Sequence, residues 1–326
     1  MSTERETSLR LSTPRYYFSR ILCPTNLSPD SDEALRYALA LARVYDAKLY
    51  VCHCVEEKAT PDWSAQIKGL GHIKGLFEES LGPRIGVAEL DKLSWEGLVV
   101  EGNPSEIISH EAAERHVDLI VMRSRRRPYA AALLGSTAEA ICRNAPCPVL
   151  VTHDNEREWV DGSTGEIKLK RVLVPYDFSD YSELALSYAL SLAQEYQAEL
   201  HILHVLPEQL QHTWYPHDES TYHQIMRRLQ YAVPREAHLW CQIHHEVTTG
   251  HPYQQILAYA EENHIDLISM GARGSGFSKW ALFGSNADRV LRQAPCPVLI
   301  ARPLKPAINI ASTQADYTKV ASGERL

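Results

Sequence analysis

The chain has 326 residues, 44% of them hydrophobic and 23% charged, with a formal net charge of −8. This composition is ordinary for a globular protein, and the negative charge argues against nucleic acid or an anionic membrane surface as the main partner. No apolar run approaches the ~20 residues of a membrane span, and the N-terminus lacks the apolar core of a secretory signal. We therefore expect a cytoplasmic protein whose seven cysteines, which include no CxxC motif, are reduced.

An internal duplication sets the domain organisation. Of the 36 positions from Arg20 to Val55, 16 are identical 151 residues later, and Asp118–Val151 resembles Asp266–Ile300. Because this unit is far longer than a solenoid repeat, it predicts two homologous domains in tandem. The predicted boundaries are an N-terminal tail at 1–17, a first domain at 18–152, a polar linker at 153–169, a second domain at 170–304 and a C-terminal tail at 305–326.

Strand and helix patterns alternate along each copy. Copy one has short apolar runs that predict strands at Ile21–Cys23, Leu49–Val55, Leu98–Glu101, Leu119–Met122 and Val149–Thr152. Ser28 is the predicted N-cap of its first helix, with Pro29 at the first helical position.

Copy two repeats this alternation. Its predicted strands are Arg171–Pro175, Leu200–Leu206, Trp240–Thr248, Asp266–Met270 and Pro297–Ala301, and its predicted helices are Asp180–Tyr196, Tyr222–Ala232, His251–Asn263 and Asn286–Gln293. Alternating strands and helices predict a parallel sheet that is covered by helices on both faces.

Copy two also carries a glycine-rich loop, Gly271-x2-Gly274-x9-Gly284-Ser285. Gly271 follows the fourth predicted strand, so the loop lies at the carboxyl edge of the sheet, where open α/β sheets bind ligands. Glycine permits positive φ and a close approach of backbone N–H groups to an anion. A helix that begins near Asn286 offers further N–H groups to a phosphate, and Ser285 adds a hydroxyl. The spacing therefore indicates a phosphate site, with glycines that serve only turns and caps as the alternative.

Several motifs together resemble one known family. The glycine spacing, the downstream segment APCPVLI, the opening VLVPYDFSDYS and the segment GHPYQQI resemble the nucleotide-binding signature of the universal stress protein family. The resemblance covers nearly the whole chain, twice. It implies two Rossmann-like domains, each a five-stranded parallel sheet of order 3-2-1-4-5, with ATP held between the first and fourth strands. It also implies that the two domains pair through their fifth strands, and that two tandem chains can form a homodimer.

The resemblance implies specific contacts in copy two. Asp177 should contact ribose and adenine, the Val205 backbone should meet the adenine edge, and the glycine loop should hold the phosphates. The implied site consists of Pro175, Tyr176, Asp177, Val205, Met270, Gly271, Arg273, Gly274, Gly284, Ser285 and Asn286. The expected ligand is ATP, alone or with Mg²⁺, and AMP or another adenine nucleotide is an alternative. Asp177 could instead serve only the helix cap, and Arg273 could be a solvated loop charge.

Copy one departs from this pattern. Asn26 replaces the aspartate, Arg123 and Arg126 replace two glycines, and the loop is one residue shorter. Because arginine side chains obstruct the backbone approach to phosphate, we expect a solvated basic loop on a domain that mainly pairs with copy two. An anion site built from the arginine forks is the alternative.

No catalytic or metal site is predicted. The GxxxxGK[ST] phosphate loop is absent from the sequence, and no paired carboxylates accompany the glycine motif. Ten of the 15 histidines lie from His201 to His264, but no ligand spacing recurs, and the neighbours His244 and His245 should point to opposite faces of a strand. The favoured function is an ATP-binding stress or regulatory protein. A slow ATPase and a non-binding scaffold with vestigial sites are the alternatives.

Overall fold

The computed structural model describes residues 15–55, 77, 79–82, 92–124, 136–153, 156–206, 219–274 and 283–303. The predicted C-terminal tail lies outside these ranges, and so does the N-terminal tail apart from residues 15–17. So do Arg126 and most of the copy-two glycine loop between Gly274 and Gly284.

Each copy forms five strands, which are separated by helices. Copy one contains β1 (Arg20–Thr25), α1 (Asp32–Tyr45), β2 (Lys48–Val55), β3 (Trp95–Glu101), α2 (Pro104–Glu114), β4 (Leu119–Arg123), α3 (Ser136–Asn144) and β5 (Val149–Thr152). Copy two contains β6 (Arg171–Pro175), α4 (Asp180–Tyr196), β7 (Glu199–Leu206), α5 (Glu219–Ala232), β8 (Ile243–Thr249), α6 (Pro252–Glu262), β9 (Leu267–Gly271), α7 (Ser285–Gln293) and β10 (Val298–Ala301).

The strands form one ten-stranded sheet in the order β3-β2-β1-β4-β5-β10-β9-β6-β7-β8. Within each copy the pairing is parallel, and both halves have the order 3-2-1-4-5. The predicted fold class, two tandem Rossmann-like domains, is therefore confirmed.

The two halves meet at their fifth strands. β5 and β10 are antiparallel, with Leu299 opposite Leu150. The side chains of Val149, Leu150, Val298 and Leu299 are all at most 3% exposed. Just after β10, Arg302 donates hydrogen bonds to the carbonyls of Cys142 (2.5 Å) and Arg143 (2.6 Å). These carbonyls belong to the last turn of α3, so a cation from copy two caps a helix of copy one.

Two apolar layers cover the sheet, and each layer contains residues of both copies. On one face, α1 and α4 supply Leu35 and Leu186 to a cluster that also includes Tyr37 and Tyr188. On the other face, α2, α3, α6 and α7 supply aliphatic side chains such as Ile141. The seam between the copies is therefore continuous with the core above and below the sheet.

The linker does not behave as the polar tether that its composition suggests. Trp159 and Val160 are each 2% exposed, and they join the core cluster beneath α1. The Trp159 amide donates to the Tyr37 hydroxyl at 3.0 Å, and Val160 bridges Ile167 across a short hairpin. Arg157 of the same segment donates to the Pro295 and Ile265 carbonyls of copy two, so the linker contacts both copies.

The first helices of the two copies begin differently. In copy two, Ser179 caps α4 by accepting from the Ser182 amide at 3.3 Å. In copy one Ser28 is the N-cap of a 3-10 turn, Pro29–Ser31, but makes no side-chain cap bond. The α-helix itself begins at Asp32 with Ser31 as its N-cap, so the prediction that Ser28 caps α1 is wrong. The Ser28 hydroxyl instead donates to Asn26.

All seven cysteines are free thiols. Within the described parts of the chain, no helix has the length and apolarity that are needed to cross a membrane.

Candidate functional site

A crevice opens in copy two where β6 and β9 separate. The register joins these strands at Val172 with Leu267 and at Leu173 with Ile268, near their starts. β6 then leads to α4 on one face of the sheet, while β9 leads to α7 on the other. Such a switch point at the carboxyl ends of parallel strands is where open α/β sheets bind ligands.

Asp177 lies at the β6 side of this crevice. Its Oδ1 accepts hydrogen bonds from the Ser179 amide (3.1 Å) and hydroxyl (2.6 Å), so one carboxylate oxygen supports the cap of α4. Its Oδ2 faces the loop after β9, since a Cβ added to Gly274 would lie 2.6 Å from that oxygen. Asp177 therefore has the cap role that the sequence left open, and it also contacts the glycine loop.

The glycines act by close approach rather than by an unusual backbone. A Cβ on Gly271 would lie 2.7 Å from Cβ of Tyr181 and 2.9 Å from its carbonyl carbon and oxygen, at the start of α4. Gly284 has a φ of −78°, and neither Gly271 nor Gly274 is among the described glycines with positive φ. The expectation that this motif exploits positive φ is therefore wrong for these three positions.

The first turn of α7 borders the same loop. Gly284 is its N-cap and provides no side chain, and the Gly284 amide donates to the Ala272 carbonyl at 2.9 Å. This bond ties the start of the helix to the residue that follows β9. The first-turn amides of Ser285 and Asn286 have no partner within the helix by construction. Ser285 is exposed and Asn286 is half-buried. The helix begins at Ser285, one residue earlier than predicted.

The remaining implied residues divide between crevice and core. Pro175 ends β6, and Arg273 places its guanidinium 5.7 Å from the Tyr181 ring centroid. Tyr176 is 4% exposed and donates to Glu183 at 3.0 Å, and burial raises its pKa. Met270 is 6% exposed in the opposite core layer. Tyr176 and Met270 can therefore face a ligand chiefly through their backbone.

Val205 lies one strand away from Asp177, near the end of β7, and is half-buried. The structure thus gathers Asp177, Gly271, Gly274 and Gly284 around the switch point and places Val205 on the neighbouring strand.

One positioning group was not predicted. His204 Nδ1 lies 2.7 Å from the Tyr176 carbonyl, which links β7 to the loop that holds Asp177. Burial lowers the pKa of His204, which favours the neutral ring. The centroid of the Phe178 ring lies 4.9 Å from that of the His204 ring. The Arg228 guanidinium in turn lies over the Phe178 ring, 4.0 Å from its centroid. The signal in the sequence was the identity of His204 with His53, whose Nδ1 lies 3.0 Å from the Thr25 carbonyl.

Copy one retains a cavity of about 400 Å³ at the equivalent switch point. Asn26 accepts there from the Ser28 amide (3.1 Å) and hydroxyl (2.7 Å), which reproduces the turn of Asp177 without its charge. Arg123 also lines the cavity, and it donates to the Asp30 carbonyl. The Arg123 guanidinium therefore contacts the 3-10 turn that follows β1.

Two thiols line the same cavity. The sulfur atoms of Cys52 and Cys54 are 4.0 Å apart, because alternate residues of β2 share a face. A hydrogen bond from Cys52 lowers the pKa of Cys54, and the same bond together with burial raises the pKa of Cys52. At the equivalent positions copy two has Leu203 and Val205.

Comparisons with known proteins agree with the fold. The sequence model of the universal stress protein family matches residues 18–153 and again residues 168–302. A universal stress protein of Mycolicibacterium smegmatis is 27% identical over 300 residues, which cover 87% of this chain and 97% of that protein. One from Methanocaldococcus jannaschii is 32% identical over 148 residues, which cover 43% of this chain and 86% of that protein.

A solved structure extends the likeness to the whole architecture. A universal stress protein from Archaeoglobus fulgidus superposes with a TM-score of 0.63 at 24% identity, covering 89% of this chain and 100% of that one. At this identity the likeness concerns the fold alone.

Proposed function

Because the chain belongs to the universal stress protein family, we propose that its second domain, 170–304, binds one adenine nucleotide in the crevice between β6 and β9. ATP is the favoured ligand. The first domain, 18–152, mainly pairs with the second, as the hydrogen bonds between β5 and β10 support.

One observation carries the proposal: a glycine of the loop after β9 meets the carboxylate that follows β6. A Cβ on Gly274 would lie 2.6 Å from Asp177 Oδ2, so any side chain there would displace the carboxylate. A carboxylate can accept from ribose hydroxyls, and the glycine leaves the adjacent backbone accessible to phosphate oxygens. These are the two chemistries that a nucleotide requires at neighbouring points.

The helix α7 supplies the phosphate end. Its first-turn N–H groups and helix dipole favour an anion, and the glycine cap leaves no side-chain acceptor that would compete for them. Ser285 is exposed at this position and can add a hydroxyl donor. The favourable groups are thus mostly neutral donors, which suits a ligand that brings its own charge.

The copy-one cavity has a different lining from the copy-two crevice. It has the amide Asn26 in place of the carboxylate, and the Arg123 side chain and the two thiols Cys52 and Cys54 line its walls. We infer that copy one does not bind ATP with the affinity of copy two, although its volume lies within the ~300–1,000 Å³ of small-molecule pockets.

A reciprocal exchange tests the assignment. Isothermal calorimetry of the full chain should give one ATP per chain. Asp177→Asn should weaken binding at least tenfold, about 1.4 kcal/mol, because the amide oxygen can keep the cap bonds while an NH2 group, which cannot accept from a ribose hydroxyl, replaces Oδ2. Asn26→Asp is the matched control and should leave stoichiometry and affinity unchanged. Two equivalent tight sites in the wild type, or an Asp177→Asn variant that binds normally, would refute the proposal.

Metal-dependent release of ADP from the same samples separates the two nucleotide functions. Turnover that disappears in Asp177→Asn supports a slow ATPase. Bound ATP that remains intact supports a regulatory protein, in which occupancy stabilises one conformation or assembly.

A further inference from the structure

A cluster of two imidazoles and a carboxylate lies on β7 and β8, the last two strands of the sheet on the copy-two side. Glu199 begins β7, and His201 is two residues later, so the two side chains share a face of the strand. His244 lies directly opposite His201 in the register of β7 with β8. These residues lie at the amino-terminal ends of β7 and β8. The proposed nucleotide crevice lies at the other end, where the strands have their carboxyl-terminal ends.

The potential ligand atoms of the cluster converge. The Nε2 atoms of His201 and His244 lie 3.7 Å and 3.8 Å from the same oxygen, Oε2 of Glu199. All three ligand atoms lie within 4.8 Å of one another, and among the described residues no other group of this kind was found. Tetrahedral zinc with bonds of about 2.0–2.2 Å holds its ligand atoms roughly 3.4 Å apart. The two imidazole–carboxylate pairs need to close by only a few tenths of an ångström.

His201 is oriented as a ligand would be. Its Nδ1 lies 2.9 Å from the Tyr259 hydroxyl on α6, a partner that fixes the ring and can accept its N–H. Its side chain is only 7% exposed, and its Nε2 is buried without a hydrogen-bond partner and faces Glu199. Histidines that bind metals typically donate the other ring N–H to such an outer partner. A buried imidazole nitrogen with no partner is costly unless something occupies it.

Copy one fills the equivalent position with other side chains. The residues that correspond to Glu199, His201 and His244 are Lys48, Tyr50 and Glu96. There the Lys48 ammonium lies 2.7 Å from Glu96, and Arg115 reaches the same carboxylate at 3.2 Å. Both cations also lie over the Tyr50 ring. In copy one, therefore, the Lys48 and Arg115 cations contact the carboxylate at this position. In copy two the same position holds the two imidazoles and the carboxylate of the cluster.

Other charged groups face the copy-two cluster. Arg171 Nε lies 3.4 Å from Oε2 of Glu199, and Glu246 and Glu262 line the same open groove. Arg171 corresponds to Arg20 of copy one, so it does not replace the missing lysine. It contacts the carboxylate and leaves both Nε2 atoms without a hydrogen-bond partner.

We propose that Glu199, His201 and His244 bind a divalent transition-metal cation of the zinc type, with water completing the coordination. Two imidazoles and one carboxylate are a common ligand set for Zn²⁺. β8 is an edge strand that pairs with β7 alone, so the ion would fasten the edge of the sheet. Through Tyr259, it would also connect that edge to α6.

Zinc titration of the metal-free full chain tests the site. We expect one zinc per chain with a Kd of about 1 µM or below, and tetrahedral d–d absorption when Co²⁺ replaces zinc. His244→Gln, at a half-exposed position that should not impair folding, should weaken zinc binding at least 100-fold. His201→Tyr, which installs the copy-one residue, should do the same. His245→Gln, on the same strand but the opposite face, is the matched control and should bind like the wild type.

Thermal unfolding provides a second measurement. Saturating zinc should raise the Tm of the wild type and of His245→Gln, but not that of His244→Gln. Absence of binding at 100 µM zinc overturns the site. Unchanged affinity in both His244→Gln and His201→Tyr also overturns it, and would place the zinc on other ligands. Asp177→Asn should leave zinc binding intact, so the result is independent of the nucleotide proposal.

Discussion

Substitutions at Gly271 and Gly274 should have different effects, the first on the stability of the fold and the second on ATP binding. Gly271→Ala would place a Cβ 2.7 Å from Tyr181 Cβ and 2.9 Å from the Tyr181 carbonyl carbon and oxygen. The carbonyl is helix backbone and cannot rotate away, so strand and helix must separate by about 0.7 Å to restore contact. We expect a loss of roughly 1–3 kcal/mol of stability, the usual range for overpacking.

Gly274→Ala has a different obstacle. Its Cβ would lie 2.6 Å from Asp177 Oδ2, an atom at the end of a side chain that can turn. Because Oδ1 is held by the Ser179 amide and hydroxyl, turning the carboxylate weakens those two bonds, at a net cost of about 1 kcal/mol. ATP affinity should nevertheless fall at least tenfold, since the moved carboxylate enters the space of the ligand.

Thermal unfolding and calorimetry with ATP measure the two effects on the same samples. Gly162→Ala is the control, because an added Cβ there would have no atom within 4 Å, and it should change neither quantity. The reasoning is refuted if Gly271→Ala melts with the wild type, or if Gly274→Ala binds ATP normally.

Three further outcomes are expected. Burial and the nearby Glu158 carboxylate raise the pKa of Glu33 to about 6. Ionisation of Glu33 therefore lowers the stability of the fold as pH rises from 4.5 through 6. Glu33→Gln should be more stable than the wild type by about 1 kcal/mol at pH 7, and urea titrations should show that this gain vanishes below pH 4.5. Arg302→Ala removes two bonds to the last carbonyls of α3 and should lower the free energy of unfolding by about 1–2 kcal/mol; an unchanged urea midpoint would contradict this role. Val149→Asp and Val298→Asp should each bury a charge at the seam and yield expanded or aggregated protein in X-ray scattering, and compact monodisperse particles would count against a tight pairing of the copies.

The strand order was accessible from the sequence because buried parallel strands are continuous apolar runs. The edge strands were harder. β3 begins at Trp95 rather than at the predicted Leu98, since a half-exposed strand tolerates polar residues. β8 begins at Ile243 rather than at Trp240, because Trp240 follows a 3-10 turn at Arg235–Leu239.

The two proposed sites also differ in how far the sequence predicts them. The relation of Asp177 to Gly274 could be anticipated because both residues follow strands that end at one switch point. The Glu199 cluster could not, since it depends on the register between β7 and β8, which are joined by more than 30 residues. Within its own segment each histidine has one carboxylate two positions away, Glu199 before His201 and Glu246 after His244. The second imidazole comes only from the neighbouring strand.

The antiparallel seam between β5 and β10 joins two halves of a single polypeptide. Pairing of these strands is therefore unimolecular, and dilution does not separate them as it separates the subunits of a homodimer. In a homodimer, every substitution appears in both subunits at once. Here each half is encoded separately, so an arginine can enter the loop of copy one while the corresponding glycine of copy two is kept. The covalent connection thus keeps paired two halves whose loops differ in sequence.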